Sequence, residues 1–201
     1  MNALLKTSLL GLALVSTASM ASNFAGPEAG ASVTMNSGSA LIDSKVDDDY
    51  DGNSGQQSIG IKLHAGYGFE MGNDTVVLVG FDYNPTEIKA GTVNTANLKI
   101  QNSWSLFLAP GMMLNDKSLA YVKLAYESGN LKYSDGGENI EQSLTGLGYG
   151  IGLRTEINKS TFLETEIKQV SYSKFNYKKG SVNVDLTPSA TVGSVGVVFK
   201  F

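Results

Sequence analysis

Apolar residues alternate with polar or small residues along most of this chain, which is the pattern of half-buried β-strands. Between Ser58 and Glu70 the odd-numbered positions are apolar, whereas the even positions from Gly60 to Gly68 are glycine, lysine or histidine. The segment GLGYGIGLRTEI, Gly146–Ile157, repeats the pattern with glycine at alternate positions. The last eleven residues place four large apolar side chains on one strand face: Val195, Val197, Phe199 and Phe201.

Segments of this kind predict eight antiparallel strands, an even number that is typical of bacterial membrane barrels. Most contain about 10 residues or more, which is enough to cross a bilayer as tilted strands. The predicted strands lie near residues 29–42, 57–69, 75–84, 96–110, 119–128, 142–157, 161–172 and 187–201.

The predicted connections alternate between short and long. Short turns are expected at Glu70–Asp74, Asn115–Ser118 and Asn158–Ser160. Longer polar segments are expected at Asp43–Gln56, Asn84–Thr95, Ser128–Glu141 and Ser173–Leu186. Short turns at one end and long loops at the other are typical of outer-membrane barrels. We therefore predict an all-β fold, an antiparallel eight-stranded up-and-down transmembrane β-barrel.

A soluble barrel of the lipocalin type is the alternative, with its apolar face turned inward. Glycine opposite large residues favours the membrane barrel, because the inside of a small barrel is crowded. Three positions fit the alternation poorly: Val76 and Leu78 fall on the lumen side and Asn102 on the lipid side. Bulges or errors of register would explain them.

The N-terminal segment predicts export from the cytoplasm. Lys6 precedes an apolar run at Leu9–Val15, and Ser19-Met20-Ala21 has the small-x-small form of a cleavage site. We therefore predict a signal peptide over residues 1–21 and a barrel domain over residues 22–201. The chain has no cysteine and a net charge of −4. Its basic residues form no stripe, so nucleic-acid binding is not expected.

The alternating C-terminal face resembles the terminal strand by which Gram-negative outer-membrane proteins are recognised for assembly. The segment Gly146–Phe175 also resembles the penultimate hairpin of the small outer-membrane β-barrel family, which includes the OmpA transmembrane domain, OmpX and the opacity-type proteins. This resemblance implies a monomer in the Gram-negative outer membrane, with both termini in the periplasm. It implies as partners the barrel-assembly machinery, periplasmic chaperones, outer-membrane lipids and lipopolysaccharide. Val195, Val197, Phe199 and Phe201 would then form the assembly signal.

Charged residues with inward parity predict an ion-pair network in the lumen. A three-residue turn at Asn158–Ser160 brings Arg154, the one arginine of the chain, opposite Glu164. His64 and Lys99 share this parity, and the predicted network contains Arg154, Glu164, Glu166, Lys168, Lys62, Lys123 and Glu127. We interpret it as a closed polar plug, since buried charges must be paired. The alternative is a narrow, porin-like channel gated by exchange of partners.

Catalysis is not expected, although some small barrels of this membrane modify lipids. The chain has one histidine, His64, and no serine lies within two residues of it. A His-Ser-acid site needs all three groups within hydrogen-bond reach. The sequence also contains no P-loop, dinucleotide fingerprint or zinc-ligand spacing.

An acidic segment forms a candidate calcium loop. Asp47, Asp49 and Asp51 precede Gly52 in a D-x-D-x-D-G pattern, but the twelfth position is Ser58 rather than a bidentate glutamate. We therefore favour a solvated acidic loop, with weak binding of calcium or magnesium as the alternative and no other cofactor. Lys174, Lys178 and Lys179 in the last loop are expected to be solvated, with contact to anionic lipopolysaccharide as the alternative. An aromatic girdle is predicted from Trp104, Tyr172, Phe175 and Tyr177.

The leading hypothesis is a non-enzymatic outer-membrane barrel that contributes to envelope integrity and to surface interactions through long outer loops. A narrow channel for small solutes or ions is the second hypothesis, and a lipid-modifying enzyme is the third.

Overall fold

The computed structural model describes residues 23–44, 52–72, 74–93, 96–135, 138–179 and 182–201. These residues form ten strands: β1 (Gly26–Ser44), β2 (Gly52–Glu70), β3 (Thr75–Asn84), β4 (Ile88–Val93), β5 (Ala96–Asn115), β6 (Ser118–Asp135), β7 (Glu138–Asn158), β8 (Thr161–Tyr172), β9 (Phe175–Lys179) and β10 (Val182–Lys200). None of these ranges contains a helix long and apolar enough to cross a membrane. The predicted signal peptide and the acidic residues Asp47, Asp49 and Asp51 lie outside the described residues.

Eight of the ten strands form a closed ring in the order β1, β2, β3, β5, β6, β7, β8 and β10. The ring closes because β10 pairs antiparallel with β1, from Glu28 opposite Lys200 to Ser44 opposite Val184. The neighbouring strands of the ring are antiparallel throughout. The predicted eight-stranded antiparallel fold is therefore confirmed.

The strands extend further than predicted at the end that carries the long connections, which we call the upper end. The prediction of a long loop at 128–141 is wrong, because β6 and β7 stay paired as far as Asp135 opposite Glu138. The predicted loop at 84–95 contains β4, which pairs with β5, and that at 173–186 contains β9, which pairs with β10. In β4 and the upper part of β6, buried Ile88 and Leu131 alternate with the outward Lys89 and Lys132, which is the reverse of the apolar-outward pattern used to predict the strands.

Two of the short connections at the opposite, lower end are tight turns that asparagine side chains close. The Asn115 Oδ1 atom accepts a hydrogen bond of 2.9 Å from the Lys117 backbone nitrogen. The Asn158 Oδ1 atom accepts one of 3.1 Å from the Ser160 nitrogen. Such side-chain bonds mimic a backbone turn and are a local reason for asparagine at these positions.

Alternation along the strands separates an apolar outer face from a buried inner face. Of the two explanations offered for Asn102, the bulge is the one observed: its φ is 49°, and the pairing register shifts between Gln101 and Trp104. Val76 and Leu78 need no bulge, because both point inward and are fully buried in an apolar part of the lumen.

Two apolar clusters occupy the two ends of the lumen. The upper cluster consists of Ala40, Ile88, Ala90, Leu98, Ile100, Leu131, Leu144, Val170, Tyr172, Ala190 and Val192. The lower cluster consists of Phe24, Val76, Leu78, Phe107, Ala109, Leu119, Tyr121, Ala125, Phe162 and Val198. Assignment of Tyr172 to an outer girdle was therefore wrong, since its parity along β8 turns it into the upper cluster. The side chains of Phe175 and Tyr177 lie outside the described part of the structure.

The barrel wall divides into two sheets at the upper end. The β2–β3 ladder stops at Leu63 opposite Tyr83, and the β7–β8 ladder stops at Gly146 opposite Tyr172. Above these points, β9, β10, β1 and β2 form one sheet, and β4, β5, β6 and β7 form the other. The two sheets meet at Gly38, where β4 crosses β1. The two backbones are so close there that a Cβ atom on residue 38 would clash with the Lys89 carbonyl.

Candidate functional site

Eight charged side chains form a closed cycle of contacts in the middle of the lumen, between the two apolar clusters. Acids and bases alternate around this cycle, which we call the charge ring. Its members, in order of contact, are Arg154, Glu28, His64, Asp82, Lys123, Glu166, Lys62 and Glu164, and all are buried.

Arg154 joins two carboxylates on either side of it. Its Nη1 atom lies 2.5 Å from Glu28 Oε2, and its Nη2 atom lies 2.6 Å from Glu164 Oε2. The Nε atom donates a second hydrogen bond of 3.1 Å to the same Glu164 oxygen. A guanidinium can make all three bonds at once because its donors are fixed in one plane. Arg154 therefore links β7 to β1 and β8.

His64 lies between two carboxylates. Its Nε2 atom is 2.9 Å from Glu28 Oε1, and its Nδ1 atom is 2.9 Å from Asp82 Oδ1. A neutral imidazole can donate from one nitrogen only, so both contacts are satisfied when the ring carries two protons. The imidazolium form gives the charge ring four cations and four anions.

Two lysines complete the charge ring. Lys123 Nζ lies 2.9 Å from Asp82 Oδ2 and 2.6 Å from Glu166 Oε2. Lys62 Nζ lies 3.2 Å from Glu166 Oε1 and 3.6 Å from Glu164 Oε1.

Neutral groups on β5, β6 and β10 support these charges. Ser194 of β10 accepts a hydrogen bond of 3.2 Å from Lys62. Phe107 of β5 stacks on His64, with 5.4 Å between the ring centroids. Lys123 Nζ lies 4.1 Å from the centroid of the Phe107 ring. Tyr121 of β6 donates a 3.0 Å hydrogen bond to Glu166. With these groups, all eight strands of the closed barrel contribute to one network.

A separate ion pair lies closer to the upper cluster. Lys168 Nζ is 2.6 Å from Glu127 Oε1, and both side chains are about as buried as the charge ring. This pair joins β8 to β6 on the same inner face.

The arrangement suits a plug better than a binding site. Buried charges cost several kcal/mol each unless paired and hydrogen-bonded, and here every charge has a partner of the opposite sign. Apolar clusters lie above and below the charge ring. Opening the lumen would require separating several buried pairs at once.

The structure brings together all seven charged residues of the predicted network, five in the charge ring and two in the separate pair. Two acids were missed: Glu28 lies just before the predicted first strand, and Asp82 shares the inward parity of Val76 and Leu78. Lys99 was wrongly expected in the lumen, because the bulge at Asn102 reverses parity and Lys99 instead pairs with Glu87 at the surface.

The four residues of the predicted assembly signal occupy the end of β10. The side chains of Val195, Phe199 and Phe201 are exposed on the outer face, and Val197 is half-buried. Within the described ranges, no group of three or more His, Cys, Asp or Glu side chains is arranged to hold a metal ion. The candidate calcium ligands Asp47, Asp49 and Asp51 lie outside those ranges, so this finding does not bear on them.

Comparison with known proteins gives one family. The family model for the outer membrane protein beta-barrel domain matches residues 7–201. No curated protein matches the sequence at a significant level.

Solved structures with a similar fold are outer-membrane proteins. OprG from Pseudomonas aeruginosa is 13% identical, with 88% of this chain and 96% of that chain covered and a TM-score of 0.53. Neisserial surface protein A is 17% identical, with 85% of this chain and 97% of that chain covered and a TM-score of 0.49. Ail of Yersinia pestis is 18% identical, with 83% of this chain and 97% of that chain covered and a TM-score of 0.42. The likeness to OprG supports the barrel fold alone.

Proposed function

Because this chain belongs to the outer membrane protein beta-barrel domain family, we propose that it is a non-enzymatic, sealed barrel that contributes to envelope integrity. Its upper end would serve surface interactions. The observation that carries this proposal is the charge ring, which fills the middle of the lumen between two apolar clusters.

The outer face of the barrel supports a position in the membrane. Large apolar side chains are exposed there, as a lipid-facing wall requires. They include Val33, Ile61, Leu63, Leu106, Leu108, Leu124, Ile151, Leu153, Ile167 and Val195. In water, an apolar surface of this extent would drive aggregation.

We propose that both termini face the periplasm. The Phe201 nitrogen donates a hydrogen bond of 3.0 Å to the Pro27 carbonyl, and the Lys200 nitrogen donates one of 2.9 Å to the carbonyl of Ser160, in the β7–β8 turn. The start of β1 and the end of β10 therefore lie at the lower end with the short turns. Periplasmic turns are the short ones in outer-membrane barrels.

Assembly machinery and periplasmic chaperones are the proposed partners during biogenesis. The exposure of Val195, Phe199 and Phe201 on the last strand supports this, because these side chains are available for recognition before insertion. In the middle of the wall, each strand of the closed ring pairs with a neighbour on both sides, which is consistent with a monomer.

The geometry around His64 favours a non-enzymatic role. Both of its ring nitrogens are occupied by carboxylates, and its side chain is 2% exposed. A catalytic base must reach a proton of the substrate. Incubating the purified barrel with lipid A or phospholipid should leave both unchanged, and any hydrolysis or acyl transfer would contradict this part of the proposal.

Gel mobility of the outer-membrane fraction, boiled against unboiled, tests the membrane barrel. A closed barrel resists detergent at room temperature, so the unboiled protein should migrate differently from the boiled one. Recovery in the soluble periplasm without a heat-dependent shift would contradict it. The same experiment with calcium or a chelator tests the loop at Asp47, Asp49 and Asp51, and we expect no effect of calcium on the temperature of the shift.

A further inference from the structure

A cavity of about 890 Å³ opens in the outer wall where the β2–β3 ladder stops. Above Leu63 and Tyr83, β2 faces the β3–β4 connection instead of a paired strand. Two hydrogen bonds bridge the gap: the Ile61 nitrogen donates to Thr86 Oγ1 at 3.0 Å, and the Lys89 nitrogen donates to Ser58 Oγ at 3.4 Å. We call this cavity the lateral groove; its lining includes Met35, Ile59, Gly193, Ser58, Thr86 and Lys89.

The lateral groove has an apolar part and a polar part. Met35 and Ile59 are 69% and 76% exposed on the outer face. Gly193 lies opposite Met35 on the neighbouring strand, and a Cβ atom there would meet no atom within 4 Å. The missing side chain leaves a depression between apolar neighbours. The exposed Lys89 lies on the polar side with Ser58 and Thr86.

The polar part lies just above an aromatic cluster on the outer wall. Trp104 lies 6.1 Å from Phe81 and 6.0 Å from Tyr126 between ring centroids. Tyr83 is in register with Trp104, and Thr86 follows Tyr83 by three residues. Aromatic side chains concentrate at the membrane–water interface. Thr86 and Lys89 are therefore at the level of the lipid headgroups.

Three lysines form a row across the strands beside the groove. Lys89 of β4 is in register with Lys99 of β5, and Lys99 is in register with Lys132 of β6. Like charges directly opposite each other are destabilising, so the row favours a bound anion.

Glu87 also lines the lateral groove, but its carboxylate pairs with Lys99. Glu87 is 2.7 Å from Lys99, and the hydrogen bond from Lys99 holds the pKa of that carboxyl below its usual value. Glu141 is in register with Lys132 on β7. These two carboxylates are opposite Lys99 and Lys132, so Lys89 is the lysine that contributes positive charge to the groove.

We propose that the lateral groove binds a phosphorylated lipid of the outer leaflet, with an acyl chain against Met35, Ile59 and Gly193 and a phosphate at Lys89. An ammonium and a phosphate form a charge-assisted contact, and the apolar depression selects an amphiphile over a free anion. The inference rests on the membrane barrel proposed above and assigns that barrel a specific lipid partner.

Lipid retention in nanodiscs tests the site. The full chain is inserted into phosphatidylcholine nanodiscs that contain a minor fraction of lipid A, and the lipids that remain bound after detergent extraction are identified by native mass spectrometry. The wild type should retain lipid A in preference to phosphatidylcholine. Lys89→Gln should weaken retention about tenfold, the effect of losing one charge-assisted contact. Lys89→Arg should preserve it.

Gly193→Leu tests the apolar part independently. The leucine side chain enters open space, so folding should be unaffected while the depression is filled and lipid A retention falls. Lys159→Gln, in the exposed turn at the lower end, is the matched charge control and should retain lipid A like the wild type.

Equal retention of both lipids by the wild type, or equal loss in the Lys89→Gln and Lys159→Gln variants, would overturn the site. Unchanged retention in Gly193→Leu would also overturn it. The heat-dependent mobility shift separates this failure from that of the proposed function. A shifted, inserted barrel without lipid preference refutes the lateral groove alone, whereas absence of the shift refutes the membrane barrel.

Discussion

The middle and the upper end of the lumen are formed largely by the same strands, yet different interactions hold them together. In the middle, the charge ring connects neighbouring and opposite strands through buried ion pairs. At the upper end, the wall divides into two sheets, and the apolar upper cluster packs between them.

This difference indicates two kinds of stability. Breaking a buried ion pair leaves an uncompensated charge, so single substitutions in the middle should be severe. Packing between the upper sheets is distributed over many small contacts, so substitutions there should be milder and local.

Arg154→Ala should have the largest effect. It leaves Glu28 and Glu164 buried without their main cation, and we expect the free energy of unfolding to fall by about 3–5 kcal/mol. Urea unfolding in lipid vesicles, followed by the fluorescence of Trp104, the one tryptophan in the chain, measures this loss. Lys159→Ala is the matched control and should change stability by less than about 0.5 kcal/mol. A loss in Arg154→Ala as small as that of the control would contradict the role of the charge ring.

Lys168→Met should also be severe, but a second substitution should rescue it. The single variant buries the Glu127 charge alone and should cost about 3 kcal/mol or more. Lys168→Met with Glu127→Leu removes both charges, and replacement of a whole buried pair by apolar groups is often neutral. A double-mutant cycle measures the coupling, and purely additive losses would show that the pair does not act as a unit.

Gly38→Val should separate the two upper sheets without opening the middle. The new side chain clashes with the Lys89 carbonyl and should cost about 1–3 kcal/mol. Amide hydrogen exchange should become faster at Ile88–Ala90 and stay slow at Val122–Leu124. Gly55→Val is the control, because the nearest atom to its Cβ would be 3.6 Å away. Faster exchange at both levels would show that the two regions are not independent.

Glu87→Gln should have the smallest effect, less than about 1 kcal/mol, because Glu87 and Lys99 form an exposed pair. Since the pKa of Glu87 is lowered in the folded state, its contribution is present above the ordinary carboxyl pKa and is lost as the pH falls through the folded value. The melting temperatures of the wild type and the variant should therefore become equal in acid and at high salt. A difference that persists in acid would contradict this assignment.

The period-two pattern predicted the eight strands of the ring because one face of each strand contacts lipid and the other the lumen. It also predicted the pairing of Arg154 with Glu164, which depends only on a local turn. The pattern failed where a single residue changed the parity, as at Asn102, whose bulge moved Lys99 to the surface.

Long-range partners were harder to predict than local ones. Glu28 and Asp82 reach the charge ring from strands far away in sequence, and only closure of the barrel brings them to His64. The extension β4 lies beyond the apolar wall, where apolar residues such as Ile88 face inward and the apolar-outward pattern no longer applies. Local alternation can therefore reveal the wall of a small barrel, but not which lumen charges meet.

Electrical conductance of single barrels in a planar lipid bilayer tests the sealed lumen most directly. Insertion would be verified first by the heat-dependent mobility of protein recovered from the same preparation. We predict no conductance above that of the bare bilayer, because the charge ring and both apolar clusters block the path. Steady or gated openings in the wild type that are altered in Arg154→Ala would contradict the sealed barrel and establish a channel.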